Sequence, residues 1–398
     1  MAKTKIINPQ SANNKPKRQV KLHKLTPQIV AQALVVLAVF GVIIFCLPNL
    51  PQMPSTDTSV GYKGVINLWL VDSFEGGSGS RQSWFTKCSA KFEAQNKGLF
   101  VCVTALTESQ LADKLESGQN FDMICFSRGV GASLLDKLAP LDVDFGGVMD
   151  NFIESCKVSG RPYAVPVYTG VYCLFARQSQ QSGDLLANCL STTFTRKIGK
   201  NKVQLAPLVC GFTPYNSPLT ALAMSGVKGT FSPNYNRSQY TAYEQFVGNK
   251  TAVTLLGTQR DMYRLDKRLQ MGRMENLLFA PLTSYTDLVA YVGIGRTTQN
   301  ANICAKFVQY LLGDTVQQSV TDMSMFSVTK QDLYTKDWYD LCEKGLSSAY
   351  VPNVFANLDT IENSRQTALD TLNDSMEKGT MSKPNNNGGL FQPSYATD

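Results

Sequence analysis

The only histidine in the chain is His23, which lies in a lysine-rich amino-terminal stretch. Beyond that stretch no Ser-His-Asp triad, Cys-His pair or histidine-containing zinc site can be assembled. Paired carboxylates or a lysine are the remaining acid-base groups. What the sequence does offer is polar loops punctuated by glycine. One reads Asp72-Ser73-Phe74-Glu75-Gly76-Gly77-Ser78-Gly79-Ser80-Arg81. Glycines let backbone N–H groups come close to a ligand, and a helix start downstream favours anions or hydroxyl oxygens. The spacing fits neither G-x-G-x-x-G nor the phosphate loop G-x-x-x-x-G-K-[ST], so no nucleotide is implied, and a plain turn is the alternative reading. A second loop is Ser127-Arg128-Gly129-Val130-Gly131, where Arg128 reads either as a ligand contact or as a solvated charge. Tyr163, Tyr168 and Tyr172 crowd a Pro/Gly-punctuated segment, and Tyr215 lies in TPYNSP. Flat aromatic faces stack on the apolar faces of sugars, although such spacing also packs cores.

The elements that must position these loops follow from periodicity. GVINLWLV at 64–71 is a nearly continuous apolar run, as in a strand buried on both faces. From 80 to 96, Trp84, Cys88 and Phe92 recur at helical spacing, with Gly98 placed to end the helix. Residues 99–105 predict a second strand. Thr107 and Gln110 match a capping box opening a helix that carries Leu111 and Leu115 and stops at Gly118. Residues 123–127 predict a third strand. This β-α-β-α-β order implies a parallel sheet with right-handed crossovers. Ligands in such sheets bind beyond the carboxyl ends of the strands, where both loops lie. Further on, 302–312 has Ile303, Phe307, Tyr310 and Leu311 on one helical face, and helices are expected from about 331 to 376. The Asn/Gly/Pro-rich stretch from 378 onward reads as a disordered tail. No internal repeat occurs.

The 398 residues carry a net charge of +7, but that charge is local. Seven basic side chains and no acidic one fall in residues 1–28, residues 29–55 carry none, and the remainder balances at 31 of each sign. A neutral folded part lacks the footprint that phosphate backbones require, which excludes nucleic acid. Residues 29–47, IVAQALVVLAVFGVIIFCL, hold a single polar member, Gln32. About 20 helical residues span a bilayer core, so this run reads as a transmembrane anchor. The basic residues before it keep the amino terminus cytoplasmic and place the rest outside. A cleaved signal and lipidation at Cys46 are the alternatives. Residues 48–61 form a Pro/Ser/Thr linker. A mean hydropathy of -0.13 rules out a polytopic membrane protein.

Of ten cysteines, nine lie outside the apolar span, and several sit in apolar strings (Cys102, Cys125, Cys173, Cys304). They read mostly as buried thiols, with a Cys88–Cys102 pair as the alternative. No C-x-x-C occurs, so neither a metal site nor a cofactor is implied.

The order of segments from about 62 to 378 resembles the family 1 extracellular solute-binding proteins of bacterial ABC importers, the group containing the maltose-binding protein. The pieces that carry it are INLWLVDSFEGGSGSR, NFDMICFSRGVG, RPYAVPVYTGVYCLFAR, KTAVTLLGTQRDMYRL, LLFAPLTSYTDLVAYVGIGRTTQNANICAKFVQYLLG and MFSVTK, taken in that order. The resemblance implies an α/β class II periplasmic-binding-protein fold: two lobes joined by crossing segments, here preceded by one transmembrane helix. Lobe one would be 62–162 plus 287–326, lobe two 163–286 plus 327–378, with ligand held in the cleft by hinge closure. It implies ligand contacts from Phe74, Glu75, Arg81 and Arg128 in lobe one and Tyr168 and Tyr215 in lobe two. Gly257, Thr258, Arg260 and Asp261 of the GTQRD turn are implied as well, with Asp287 after the Ser284-Tyr285 crossing. Carboxylates and arginine suit paired hydrogen bonds to vicinal hydroxyls; an Arg260–Asp261 surface pair is the bland alternative. With Trp69 and Trp84 on a core strand and helix, Trp338 is the one tryptophan left as a stacking platform. The expectation is a monomeric, membrane-anchored, extracytoplasmic binding protein, not an enzyme, that hands a small polar ligand, a carbohydrate, to importer permease subunits. A membrane-tethered ligand sensor and a carboxylate-based glycoside-acting enzyme are the competing readings.

Overall fold

In the computed structural model the described residues are 63–373, excepting Ser182, Gly199 and Asn249. The expected anchor at 29–47, Cys46, the linker and the tail from 379 lie outside them. No described helix is long and apolar enough to cross a membrane.

Strand β1 (Gly64–Val71) is flanked by β2 (Leu99–Leu106) and β3 (Met123–Phe126), both parallel to it. Helix α1 (Arg81–Gln95) joins the first pair and buries Trp84, Phe85, Cys88 and Phe92 on one face. Its amino end is closed by Ser80, whose hydroxyl accepts from the Ser83 N–H at 3.2 Å. Helix α2 (Glu108–Glu116) opens on the expected capping box. The Gln110 N–H donates to Thr107 Oγ1 at 3.2 Å, and the Thr107 N–H donates to Gln110 Oε1 at 2.9 Å. Two of the four orphan N–H groups at a helix start are met in this way.

The rest of the sheet is not parallel. The chain continues through β4 (Val165–Thr169), β5 (Tyr172–Arg177), β6 (Ala206–Cys210), β7 (Ala252–Thr258), β8 (Leu277–Leu282), β9 (Val289–Ile294) and β10 (Phe326–Ser327). The first sheet runs β10-β4-β9-β3-β1-β2, and β9 is antiparallel to both β3 and β4. The second runs β6-β7-β5-β8, with β5 antiparallel to β7 and β8. The architecture is thus two mixed sheets in one α/β protein rather than a single parallel one.

The helices that matter for the site are α3 (Pro218–Met224), α4 (Gln239–Val247), α5 (Gln259–Gln270), α6 (Ala301–Leu311), α7 (Asp337–Gly345) and α8 (Leu358–Asn373). The chain passes between sheets after β4 and after β8, and after β10 it returns to the second sheet through α7, which packs on β8. The first passage therefore falls at 170–171, not at 163: β4 still pairs with β9 in the first sheet. Both β4 and β5 are buried throughout, so the run VPVYTGVYCLFAR stays apolar across the change of sheet. The second passage, expected at 286/287, occupies the segment between Leu282 and Val289, and Ser327 of the third still pairs with Tyr168.

All nine described cysteines are free, eight of them buried. Cys88 sits inside α1 and Cys102 is exposed on β2, so they form no bridge.

Candidate functional site

The loop after β1 turns its polar groups toward the second sheet. Arg81, the first residue of α1, folds back over it: Nε lies 3.0 Å from Asp72 Oδ1, Nη2 donates to the Phe74 carbonyl, and the guanidinium sits 4.8 Å above the Phe74 ring. Arg81 is 8% exposed, yet its Nη1 has no hydrogen-bond partner. Burial pushes the Asp72 carboxyl above the ordinary range, with Arg81 opposing the shift.

Facing this loop is the second sheet's side of a groove of about 410 Å³. Asp72, Ser73, Phe74, Glu75 and Arg81 line one wall; Phe212, Thr213, Ser238, Gln239 and Tyr240 line the other. Ser238 caps α4 by accepting from the Thr241 N–H at 3.1 Å, which sets Gln239 and Tyr240 at the groove edge. The Thr213–Asn216 loop is held from behind by Arg365 of α8, which donates to the Thr213 and Asn216 carbonyls. Tyr240 is 56% exposed. The walls combine aromatic faces with hydroxyl, amide, carboxylate and guanidinium groups, the mixture that suits a polyhydroxylated ligand.

The first turn of α5 closes one end. Gln259 Nε2 donates to the Glu75 carbonyl at 2.7 Å, and Arg260 Nη1 donates to the Gly77 carbonyl at 2.8 Å. Arg264 Nη1 stands 3.5 Å from Glu75 Oε2 and 3.3 Å from Asp261 Oδ1. Glu75 Oε2 has no hydrogen-bond partner. Asp261 accepts from the Thr258 N–H at 3.1 Å, and burial pushes its carboxyl up to about 7. A Cβ on Gly257 would stand 2.6 Å from Asp261 Oδ2, so glycine there makes room for the carboxylate. Gly257, Thr258 and Asp261 border a cavity of about 10 Å³ with Tyr172 and Gln239, the size of one water.

Beneath the groove lies a buried polar hub. The Asp287 side chain, on the second passage between sheets, has no solvent exposure. Its Oδ1 accepts from Tyr172 Oη at 2.6 Å, and its Oδ2 accepts from the Ser217 N–H at 2.7 Å, Tyr285 Oη at 3.0 Å and Arg128 Nη1 at 3.3 Å. Arg128 also donates to Tyr285 Oη at 2.9 Å. A single carboxylate therefore ties the β3 loop, the passage and both the β5 and 217 segments together.

Phe74, Glu75 and Arg81 line the groove, and Gly257, Thr258 and Asp261 border the small cavity at the first turn of α5, which also carries Arg260. Arg128 and Asp287 sit in the hub below it. Tyr215 bridges elsewhere: its ring covers Gly129, whose added Cβ would meet it at 2.2 Å, and its hydroxyl pairs with Glu108. Gly129 has φ +91°, so both conformation and space demand glycine there. With Tyr215, three expected ligand contacts need correcting. Tyr168 is fully buried against Trp84 and Phe85, because β4 belongs to the first sheet and directs it into the core beneath α1. Trp338 stacks on Phe279 at 4.9 Å and 15°, fastening α7 to β8 away from the groove. The sequence reading missed Phe212, Thr213, Ser238, Gln239 and Tyr240; of these only Ser238, a capping type before an apolar-striped helix, carried a local signal.

No family model and no curated protein sequence matches this chain. Solved structures do. The chain is similar to the sugar-binding protein MalE from Xanthomonas citri, at 15% identity and TM-score 0.56, over 79% of this chain and 93% of that one. It is also similar to the maltose/maltodextrin-binding domain MalE from Bdellovibrio bacteriovorus bound to maltotriose (13%, TM-score 0.52, 79% and 95%). A third is the GacH receptor of Streptomyces glaucescens, solved unliganded and with acarbose (13%, TM-score 0.52, 78% and 94%). The chain has the two-lobed fold of these binding proteins. At such identities the likeness carries the fold and not the ligand. The groove lies between segments of the first and the second sheet, and the first turn of α5 reaches across to the β1 loop.

Proposed function

We propose that this protein is an extracytoplasmic solute-binding protein of the maltose-binding type that captures a small polar ligand, a sugar, and passes it to the permease subunits of an ABC importer. Residues 29–47 tether it to the membrane as a retained anchor, and it binds without catalysing a reaction. The observation that carries this reading is the groove itself. Two walls from different sheets meet over about 410 Å³, with Arg81 Nη1 lacking a hydrogen-bond partner and Glu75 Oε2 facing Arg264 Nη1 3.5 Å away without a hydrogen bond. A buried donor left unmet costs about 1–3 kcal/mol, and a ligand hydroxyl can accept from the guanidinium and donate to the carboxylate. Tyr240, more than half exposed, supplies a flat face for a sugar ring, with the largely buried rings of Phe74 and Phe212 lining the groove beside it.

Thermal unfolding of the ectodomain across a panel of mono- and oligosaccharides tests this. A ligand at ~100 times its Kd adds about 2.7 kcal/mol, a readily measured rise in Tm. No rise with any sugar, or an undiminished rise after Arg81→Met and Glu75→Gln, would refute it.

A further inference from the structure

One pair of thiols has no part in the groove. Cys173 lies in β5, an inner strand of the second sheet, and Cys342 lies in α7. Their sulfurs are 3.9 Å apart, and both residues have no solvent exposure. Each is held by rigid neighbours. Cys173 sits opposite Gly257 of β7 and Pro281 of β8 in the sheet register. Helix α7 is fastened by Trp338 on Phe279 and by Tyr339, which stacks on Tyr334 at 4.9 Å. Cys102, in contrast, stands exposed on the far edge of the first sheet.

We propose that Cys173 and Cys342 are a disulfide site, closed by oxidation while the chain folds outside the cytoplasm. The chemistry is thiol–disulfide exchange with an external disulfide oxidant, either a protein oxidase or a small-molecule disulfide. One cysteine thiolate attacks the oxidant and expels its thiolate; the second cysteine then attacks the mixed disulfide and expels the other. Two protons and two electrons leave the cysteines, and the oxidant departs as two thiols. Burial and the neighbouring Cys342 thiol push the Cys173 thiol well above its ordinary range, which disfavours its thiolate in the folded protein. Closure therefore belongs to the folding chain, before α7 seals over β5, and once sealed the bond is shielded from reductants.

The link would join residues 169 positions apart. Cross-links that close long loops restrict the unfolded chain most. It also joins the element after the first passage between sheets to the element after the third. The far sides of both passages would then be fixed while the groove walls stay untouched. The inference takes from the proposed function only that the folded part meets an oxidising environment, and one arm of the test dispenses even with that.

The full chain, produced with its own amino-terminal segment in a host that exports it, is denatured in alkylating agent without reductant and digested. A peptide containing Cys173 joined to one containing Cys342 is the expected product. In parallel, protein unfolded and reduced in denaturant is refolded in a glutathione redox buffer and mapped in the same way. Absence of this link in both arms, or its replacement by another pairing, overturns the inference. Reductant added before folding should lower Tm by at least about 3 °C. Cys342→Ala, which leaves no buried hydroxyl, should abolish that dependence; an equal drop in the wild type and this variant also overturns it. Sugar-panel shifts are read on the same samples, so failure of the bridge and failure of ligand capture are told apart.

Discussion

Replacing Asp287 by asparagine keeps the shape of the side chain and removes its charge. Four donors converge on the carboxylate, and asparagine presents its own N–H groups to at least one of them. Arg128, 3% exposed, then keeps its charge without the counter-ion 3.3 Å away. Breaking a buried pair by removing one partner costs about 3–5 kcal/mol, because the survivor has lost its hydration and gained nothing. A donor left facing the new amide would cost a further ~1–3 kcal/mol on its own, but contacts within one network are not additive, so ~3–5 kcal/mol is taken for the whole. With a urea m-value on the order of 3 kcal/mol/M for a protein of this size, the unfolding midpoint should fall by about 1 M or more. Adding Arg128→Met removes the stranded charge, and the double variant should regain part of the loss. The reasoning fails if Asp287→Asn unfolds within about 0.3 M of the wild type. It fails equally if the double variant loses the full sum of the two single changes.

Two further outcomes follow from the groove and from α5. Phe212→Ala and Tyr240→Ala should each weaken sugar binding by about tenfold, the loss of one stacking face, whereas Trp338→Leu should lower Tm and leave the Kd alone; titration calorimetry on all three checks this, and a binding loss confined to Trp338→Leu would reverse the assignment. Asp261, with its carboxyl raised to about 7, holds a proton in the folded state between about pH 4 and 7 that the unfolded chain has released. Its contribution to stability is therefore full at low pH and lost as pH rises through 7, with a slope of at most ~1.4 kcal/mol per pH unit. Asp261→Asn keeps an acceptor for the Thr258 N–H and should remove that slope. A Tm difference between wild type and variant that stays constant from pH 5 to 8 would contradict it.

The parts of the fold set by short-range rules were legible in the sequence. The Trp84/Cys88/Phe92 stripe and the Thr107/Gln110 box place α1 and α2 to within a residue or so, since helical spacing and capping are local. The first change of sheet was not legible. Pro162 and Tyr163 look like a boundary, but the chain stays apolar through Gly170 because both β4 and β5 are buried on both faces. For the same reason Tyr168 and Tyr172 look alike in sequence, although one packs under α1 and the other bonds to Asp287. Half of the groove comes from 212–213 and 238–240, segments brought there by α8 and by the α4 cap rather than by any motif of their own. Resemblance pointed to the β1 loop and to the α5 turn; it could not point to walls whose chemistry exists only after folding.

Because β4 sits between β9 and β10, the first sheet remains without its middle until residues near 290 have emerged, and without its edge until 326. A chain moving vectorially through a membrane channel would thus expose the free edge of β3 and an unpaired β4 while more than a hundred residues are still in transit. Pairings of such sequence separation form slowly. If the chain is exported, the same circuit that builds the groove would give it time to stay threadable, and would leave unpaired strand edges that must be kept from sticking to one another until the last passage is complete.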